Sequence, residues 1–180
     1  MILKMCTFLS WVIKVVLVCF FVLTQVSGNT TSVLYTSAVK PPKSSNILNY
    51  AGKTYYFSTA VKASFDGASQ FCRQQGMQLV SIMNKDENER LGKFTDEIGL
   101  NYEHFWTSGT KLANTERFIW LSTGNAIVYS NWYPGEPSVH SSDGKDLIEN
   151  CIETLRIGGS QALYWNDRYC LDELSFICEK

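Results

Sequence analysis

The chain has 180 residues, 45% of them hydrophobic, with five Trp, nine Tyr and ten Phe and a formal net charge of −1. That is enough apolar material for one full core, and the aromatic share points to a compact, sheet-containing domain rather than a helical bundle. No basic block or face stands out, so nucleic acid and anionic membrane surfaces are not the expected partners.

Residues 1–28 differ from everything after them. Lys4 gives a weakly positive start, residues 15–23 are an unbroken apolar run, and Val26-Ser27-Gly28 offers small residues at the usual processing spacing. This predicts a secretory signal peptide cleaved near Gly28, and so a secreted, extracellular protein. A retained signal anchor is the rival. Lys14 interrupts the apolar stretch, and the run after it falls short of the ~20 residues a spanning helix needs. Cleavage removes Cys6 and Cys19 and leaves Cys72, Cys151, Cys170 and Cys178. Four cysteines in an oxidising compartment predict two disulfides, with three pairings open. A zinc site is the alternative, but no Cys-x-x-Cys unit is present.

Residues 29–49 are rich in Ser, Thr and Pro and lack apolar periodicity, so they read as a flexible leader. Asn29-Thr30-Thr31 is an N-glycosylation sequon, which makes Asn29 the candidate modified residue. The folded domain is expected over 50–180. Residues 53–58 are β-prone and aromatic. Over 64–75, Phe65, Ala68, Phe71 and Cys72 recur at helical spacing, and Gly76 suits the position just past the helix end. Residues 77–82 form a short apolar strand. Asn84 with Glu87 three residues on is a capping-box arrangement, and Leu91, Phe94 and Ile98 stripe a second helix that Gly99 ends. After that, helical periodicity disappears. Residues 105–109 read as a strand turning at Gly109. Further short strands are expected at 118–120, 127–129, 151–155, 163–165 and 176–178. Two helices followed by many short strands is an α+β pattern. Residues 130–150 form a long connection with no period of their own, and such loops are usually functional or disordered.

Between residues 136 and 178, oxygen-bearing side chains interleave with cysteines. Glu136, Ser138, Glu149, Asn166 and Asp167 supply the carboxylate, hydroxyl and amide oxygens that calcium takes six to eight of. Three carboxylates leave a divalent site near −1. An Asn amide can give its oxygen to the ion and its N–H to a sugar oxygen, and a carboxylate can accept the sugar's hydroxyl proton. The bland reading makes Glu136 and Glu149 unrelated surface acids. Trp106, Trp120, Trp132 and Trp165 are expected to pack in the core. His140, Asp143 and Asp146 are expected to be solvated loop residues, and His104 carries no signal. The paired acids lack the hydrophobic setting of a glycosidase. No Gly-x-Ser-x-Gly, His-Glu-x-x-His or phosphate-binding glycine loop occurs, so no enzyme is expected.

Four features carry a family resemblance: Phe105-Trp106-Thr107-Ser108-Gly109; Asn131-Trp132-Tyr133-Pro134-Gly135-Glu136-Pro137-Ser138; Glu149-Asn150-Cys151; and Trp165-Asn166-Asp167 followed by Cys170 and Phe176-Ile177-Cys178-Glu179. Together, over roughly residues 50–180, they resemble a C-type lectin carbohydrate-recognition domain, in the style of the secreted, short-form lectins of insects. The resemblance implies an α+β double-loop fold of two helices and antiparallel sheets, with disulfides Cys72–Cys178 and Cys151–Cys170. It implies one Ca²⁺ held by Glu136, Ser138, Glu149, Asn166 and Asp167, and a sugar hydroxyl pair bound through Glu136, Ser138, Glu149 and Asn166. It implies a cis bond before Pro137. The expected partners are glycans on microbial surfaces or glycoproteins, and no oligomerisation stalk is encoded. The family's mannose signature has Asn where this chain has Ser138, and the interval from Glu136 to Glu149 is longer, taking in His140, Asp143, Lys145 and Asp146. The Glu-first order favours mannose-type over galactose-type binding slightly. A lectin-like domain that recognises protein without calcium or sugar is the alternative.

Overall fold

The computed structural model describes residues 46–112, 115, 117–140 and 147–180. The expected signal peptide, the Asn29 sequon, and Asp143, Lys145 and Asp146 lie outside the described residues. Among the described residues the elements follow in the order β1 Ile47–Tyr50, β2 Lys53–Phe57, α1 Phe65–Gln74, β3 Gln78–Leu79, α2 Lys85–Glu97, β4 His104–Lys111, β5 Phe118–Trp120, β6 Asn125–Ala126, β7 Cys151–Leu155, β8 Tyr164–Arg168 and β9 Ser175–Glu179. The α+β reading holds. The first strand starts at Ile47, inside the stretch read as leader, and pairs with β2.

Each helix starts where its cap is written. Ser64 Oγ accepts from the Gly67 amide, and Asn84 Oδ1 accepts from the Glu87 amide at 2.9 Å. Gly76 and Gly99 follow the two helices with φ of 66° and 73°, a region that glycine enters at no steric cost. The capping box is only half made. The Glu87 carboxylate accepts from the Met83 amide rather than from Asn84, because the Lys53 ammonium (2.9 Å) and the Tyr55 hydroxyl draw it inward. Lys53 also bridges Glu179 at 2.8 Å, so one cation on β2 joins α2 to β9.

The sheet is mixed. Strands β1, β2 and β9 form an antiparallel ribbon. The other strand pairings are antiparallel as expected, and β9 joins β4 in parallel (Phe105↔Ser175, Trp106↔Phe176). β4 carries β5 at one end and β7 along its length, and β8 pairs with β7, in the register Glu153↔Asn166 and Ile152↔Asp167. The chain does not turn at Gly109. β4 runs on to Lys111, with its register to β7 shifting between Trp106 and Thr110. A Cβ on Gly109 would lie 2.6–2.8 Å from Ile152 side-chain atoms, so the missing side chain makes room for a core isoleucine rather than for a turn. Residues 127–129 are not a strand. Pairing with β5 stops at Ala126, after which Ile127 and Tyr129 lean on the core and Val128 is 92% exposed.

Two apolar clusters sit on opposite sides of the sheet. One gathers Phe57, Val80, Leu91, Phe105, Trp120, Ile152 and Trp165 under α2; the other gathers Phe65, Trp106, Phe176 and the disulfide sulfurs under α1. Both disulfides are formed with the implied pairing, Cys72–Cys178 and Cys151–Cys170. Trp106, Trp120 and Trp165 are fully buried. Trp132 is only half-buried, its ring against Phe118 and Trp165.

Helix α2 grips the segment that leads into β8. Asn88 Nδ2 donates to the Leu163 carbonyl at 2.9 Å, and Asn131 Nδ2 donates to the same oxygen at 2.7 Å. Gly92, inside α2, faces the backbone just before it. A Cβ there would stand 2.5 Å from the Gln161 carbonyl oxygen and 3.0 Å from Leu163 N. Helix propensity alone would make Gly92→Ala stabilising by about 1 kcal/mol. Backbone cannot yield as a side-chain tip can, so the overpacking cost of about 1–3 kcal/mol wins. A lower urea midpoint is expected for Gly92→Ala; a raised one would mean that the segment gives way.

Candidate functional site

The site forms where the loop after Trp132 meets the end of β8. Tyr133 N donates to Trp165 O at 2.8 Å, and Glu136 N donates back to Tyr133 O at 2.9 Å, which ties the loop to the strand and closes a turn. The Glu136–Pro137 bond is cis, as the resemblance implied. Val139 has φ of 69°, and its carbonyl accepts from Glu149 N, bringing the far arm of the loop back to the near one.

Asp167 anchors this geometry. It is fully buried, and its two oxygens accept the backbone N–H groups of Ser138 and Val139, each at 2.9 Å. The Ser138 hydroxyl donates to Glu149 Oε2 at 3.3 Å. Burial pushes the Glu149 carboxyl above its ordinary range, and the charges of Asp167 and Glu136 push the same way against Ser138 and Arg168. Glu136 Oε2 is buried with no hydrogen-bond partner. Four of the five expected ligands therefore converge: Glu136, Ser138, Glu149 and Asp167. Among the described residues, no group of three or more His, Cys, Asp or Glu side chains is gathered tightly enough to hold a metal ion by itself. The donor set still fits a hard cation. Its three carboxylates repel one another, and one keeps a dry, unpartnered oxygen, an arrangement that costs free energy until a positive charge meets it.

The fifth residue stands differently. Adjacent residues in a strand point to opposite faces, and Asn166 donates from Nδ2 to Glu153 Oε1 at 3.0 Å. Glu153 was not singled out in the sequence, nor was His104, whose Nδ1 lies 2.7 Å from Glu153 Oε2. Arg168 also reaches Glu153, at 3.4 Å, and bonds Asp172 at 2.7 Å. The available signal was parity: Cys151, Glu153 and Leu155 share one face of β7, but which residue of β8 stands opposite depends on a register that only the folded pairing supplies. His140 is exposed and bridges Ile148 across the loop.

The raised Glu149 carboxyl gives a pH signature. The folded state holds this proton more tightly than the unfolded chain does. The stabilisation is complete below the ordinary value of 4.5 and is lost as the pH rises through the elevated one. In protein stripped of calcium, Glu149→Gln is expected to gain on wild type in melting temperature as the pH rises from 4.5 to neutrality. A constant difference would show that Glu149 ionises without penalty.

Comparison with known proteins bears on the fold and the family. The model of the lectin C-type domain matches residues 61–180. The chain is 34% identical to perlucin of Haliotis laevigata over 126 residues, covering 70% of this chain and 75% of that protein. It is 28% identical to salivary C-type lectin 2 of Aedes albopictus, covering 70% and 82%. With bovine collectin-43 the identity is 34%, but the match spans only 36% of that longer protein. Among solved structures, the carbohydrate-recognition domain of the mouse scavenger receptor C-type lectin superimposes with a TM-score of 0.63 at 30% identity, covering 75% of this chain and 95% of that one. The C-type domain of cow CD23, solved in the presence of a GlcNAc2Man3 oligosaccharide, gives 0.59 at 30% identity, covering 75% and 92%. Fold, disulfides and comparisons agree: this chain belongs to the C-type lectin domain family.

Proposed function

We propose that the chain is a secreted, calcium-dependent lectin that binds exposed sugar hydroxyl pairs, with mannose-type sugars slightly favoured over galactose. The observation that carries the reading is the buried, unpartnered Glu136 oxygen beside a Glu149 carboxyl whose charge is disfavoured. Glu136, Ser138, Glu149, Asn166 and Asp167 would hold the ion. Calcium would supply a positive centre that attracts vicinal sugar hydroxyl oxygens. The carboxylates would accept the hydroxyl protons, and Ser138 and Asn166 would donate to the sugar oxygens. Kinship to domains named for carbohydrate recognition, one of them solved with an oligosaccharide, supports a glycan on a microbe or glycoprotein as partner. The apolar run within residues 1–28 supports export.

Calcium titrated into the chelated protein should bind at millimolar affinity or tighter, and the protein should be retained on mannose resin and released by chelator. No calcium heat, with retention indifferent to chelator, would end this reading. A second reading, a protein-binding domain that needs no ion, has one observation in its favour: the loop is already tied to Asp167 by two backbone hydrogen bonds. A protein partner captured at full strength in chelator would select it.

A further inference from the structure

Beside β5 and β6 the surface folds into a groove of about 710 Å³, lined by Leu112, Arg117, Phe118, Ile127, Trp132 and Pro137 among others. Small-molecule sites span about 300–1,000 Å³ and are mostly apolar with few polar groups. The apolar lining is unfinished as a core. Leu112 is 44% exposed, and Phe118, Ile127 and Trp132 are only half-buried. Apolar surface gathered on one concavity marks a binding site, where scattered single residues would not. The charge is one-sided. Arg117 is bonded through its backbone, to Leu112 and Thr115, and its guanidinium has no partner among the described residues. Lys111 sets its ammonium over the Phe118 ring at 5.2 Å, which brings a second cation to the same end. Pro137 instead adjoins Glu136, which would repel an anion there.

We propose that this groove binds a single-chain amphiphile with one anionic head, a fatty-acid carboxylate. Its alkyl chain lies along Phe118, Ile127 and Trp132, and its carboxylate meets the Arg117 guanidinium, whose planar fork matches two carboxylate oxygens. A groove of this volume takes a slender chain, whereas a stable protein interface covers about 800 Å² on each side. The site needs neither an ion nor a sugar, so it holds or fails separately from the lectin reading.

Decanoate titrated into the full chain in chelator tests this, read by calorimetry and by tryptophan emission. Among the described tryptophans, Trp106, Trp120 and Trp165 are fully buried and Trp132 is half-buried. Water leaving the groove should therefore move the Trp132 band to shorter wavelength as one decanoate binds saturably. Octanoate should bind more weakly and dodecanoate more tightly, by about fourfold for each buried methylene. Arg117→Gln should weaken decanoate by about tenfold or more and leave the neutral 1-decanol unchanged. Ser130 is exposed and lines the groove, so Ser130→Trp fills it from outside the core and should abolish binding of both. No saturable binding overturns the proposal, as does binding that both substitutions leave unchanged. Equal losses of decanoate and decanol in Arg117→Gln overturn the anionic head. A dimer in sedimentation that Ser130→Trp dissolves and decanoate does not would assign the groove to a second copy of the chain, and the proposal falls.

Discussion

Trp165→Ala is expected to lower the unfolding free energy by about 3–5 kcal/mol, the range for removing a fully buried large aromatic. The ring has no exposure and is the hub of an aromatic cluster, with Trp120 at 5.4 Å, Tyr129 at 5.6 Å and Trp132 at 6.0 Å, all edge-on. Its indole N–H donates to Asn88 Oδ1 at 3.2 Å, and Asn88 in turn holds Tyr129 and Leu163. Truncation therefore opens a cavity and orphans a buried acceptor at once. Trp165→Phe separates the two costs: it keeps most of the ring and loses only the donor, for about 1–3 kcal/mol. Urea unfolding of both variants should show that order. Equal losses would mean that the hydrogen bond, not the volume, dominates. Both should also weaken calcium binding, because the backbone of Trp165 bonds Asn131 and Tyr133, the start of the site loop.

That coupling explains which parts of the molecule were legible in the sequence. Helices α1 and α2 were readable because Asn84, Gly76 and Gly99 punctuate an apolar period, and the structure caps α2 at Asn84 and sets each glycine just past a C-cap, Gln75 or Ile98. The disulfide pairing came through family resemblance, since cysteine spacing alone permits three pairings. Gly109 was misread because a glycine's lone sequence signal is turn-like. Its actual reason, the Ile152 side chain against it, comes from a strand more than forty residues away. Residues 127–129 are three β-prone apolar residues that have no strand partner among the described residues, and β propensity does not by itself supply one. Glu87 was read as a cap, yet its carboxylate answers to Lys53 and Tyr55, which no local pattern relates to it. Glu153 escaped for the same reason. The sequence shows which residues can carry oxygen or charge, while the register decides which of them meet.

Glu136→Gln should do opposite things with and without calcium. In the calcium-free protein, the substitution removes one of three neighbouring negative charges and lets an amide N–H face the Glu149 or Asp167 carboxylates. A gain of about 1 kcal/mol is expected, which for a domain of this size is a rise of about 3 °C in melting temperature. With calcium at a hundred times its wild-type Kd, the wild type should gain about 2.7 kcal/mol by mass action. The variant, short of a ligand charge, should gain almost nothing, so the two melting curves exchange order. Asp167→Asn gives the contrast. Its carboxylate holds the Ser138 and Val139 amides, and an asparagine would set its own NH2 against one of them. It should lose about 1–3 kcal/mol even without calcium and bind the ion poorly as well. Differential scanning calorimetry of the three proteins in chelator and in excess calcium reads all of these changes. The decisive sign is that of Glu136→Gln in chelator. If the variant melts below wild type there, the unpartnered Glu136 oxygen is stabilising the loop by itself, and a cation is not what this cluster of acids is built to receive.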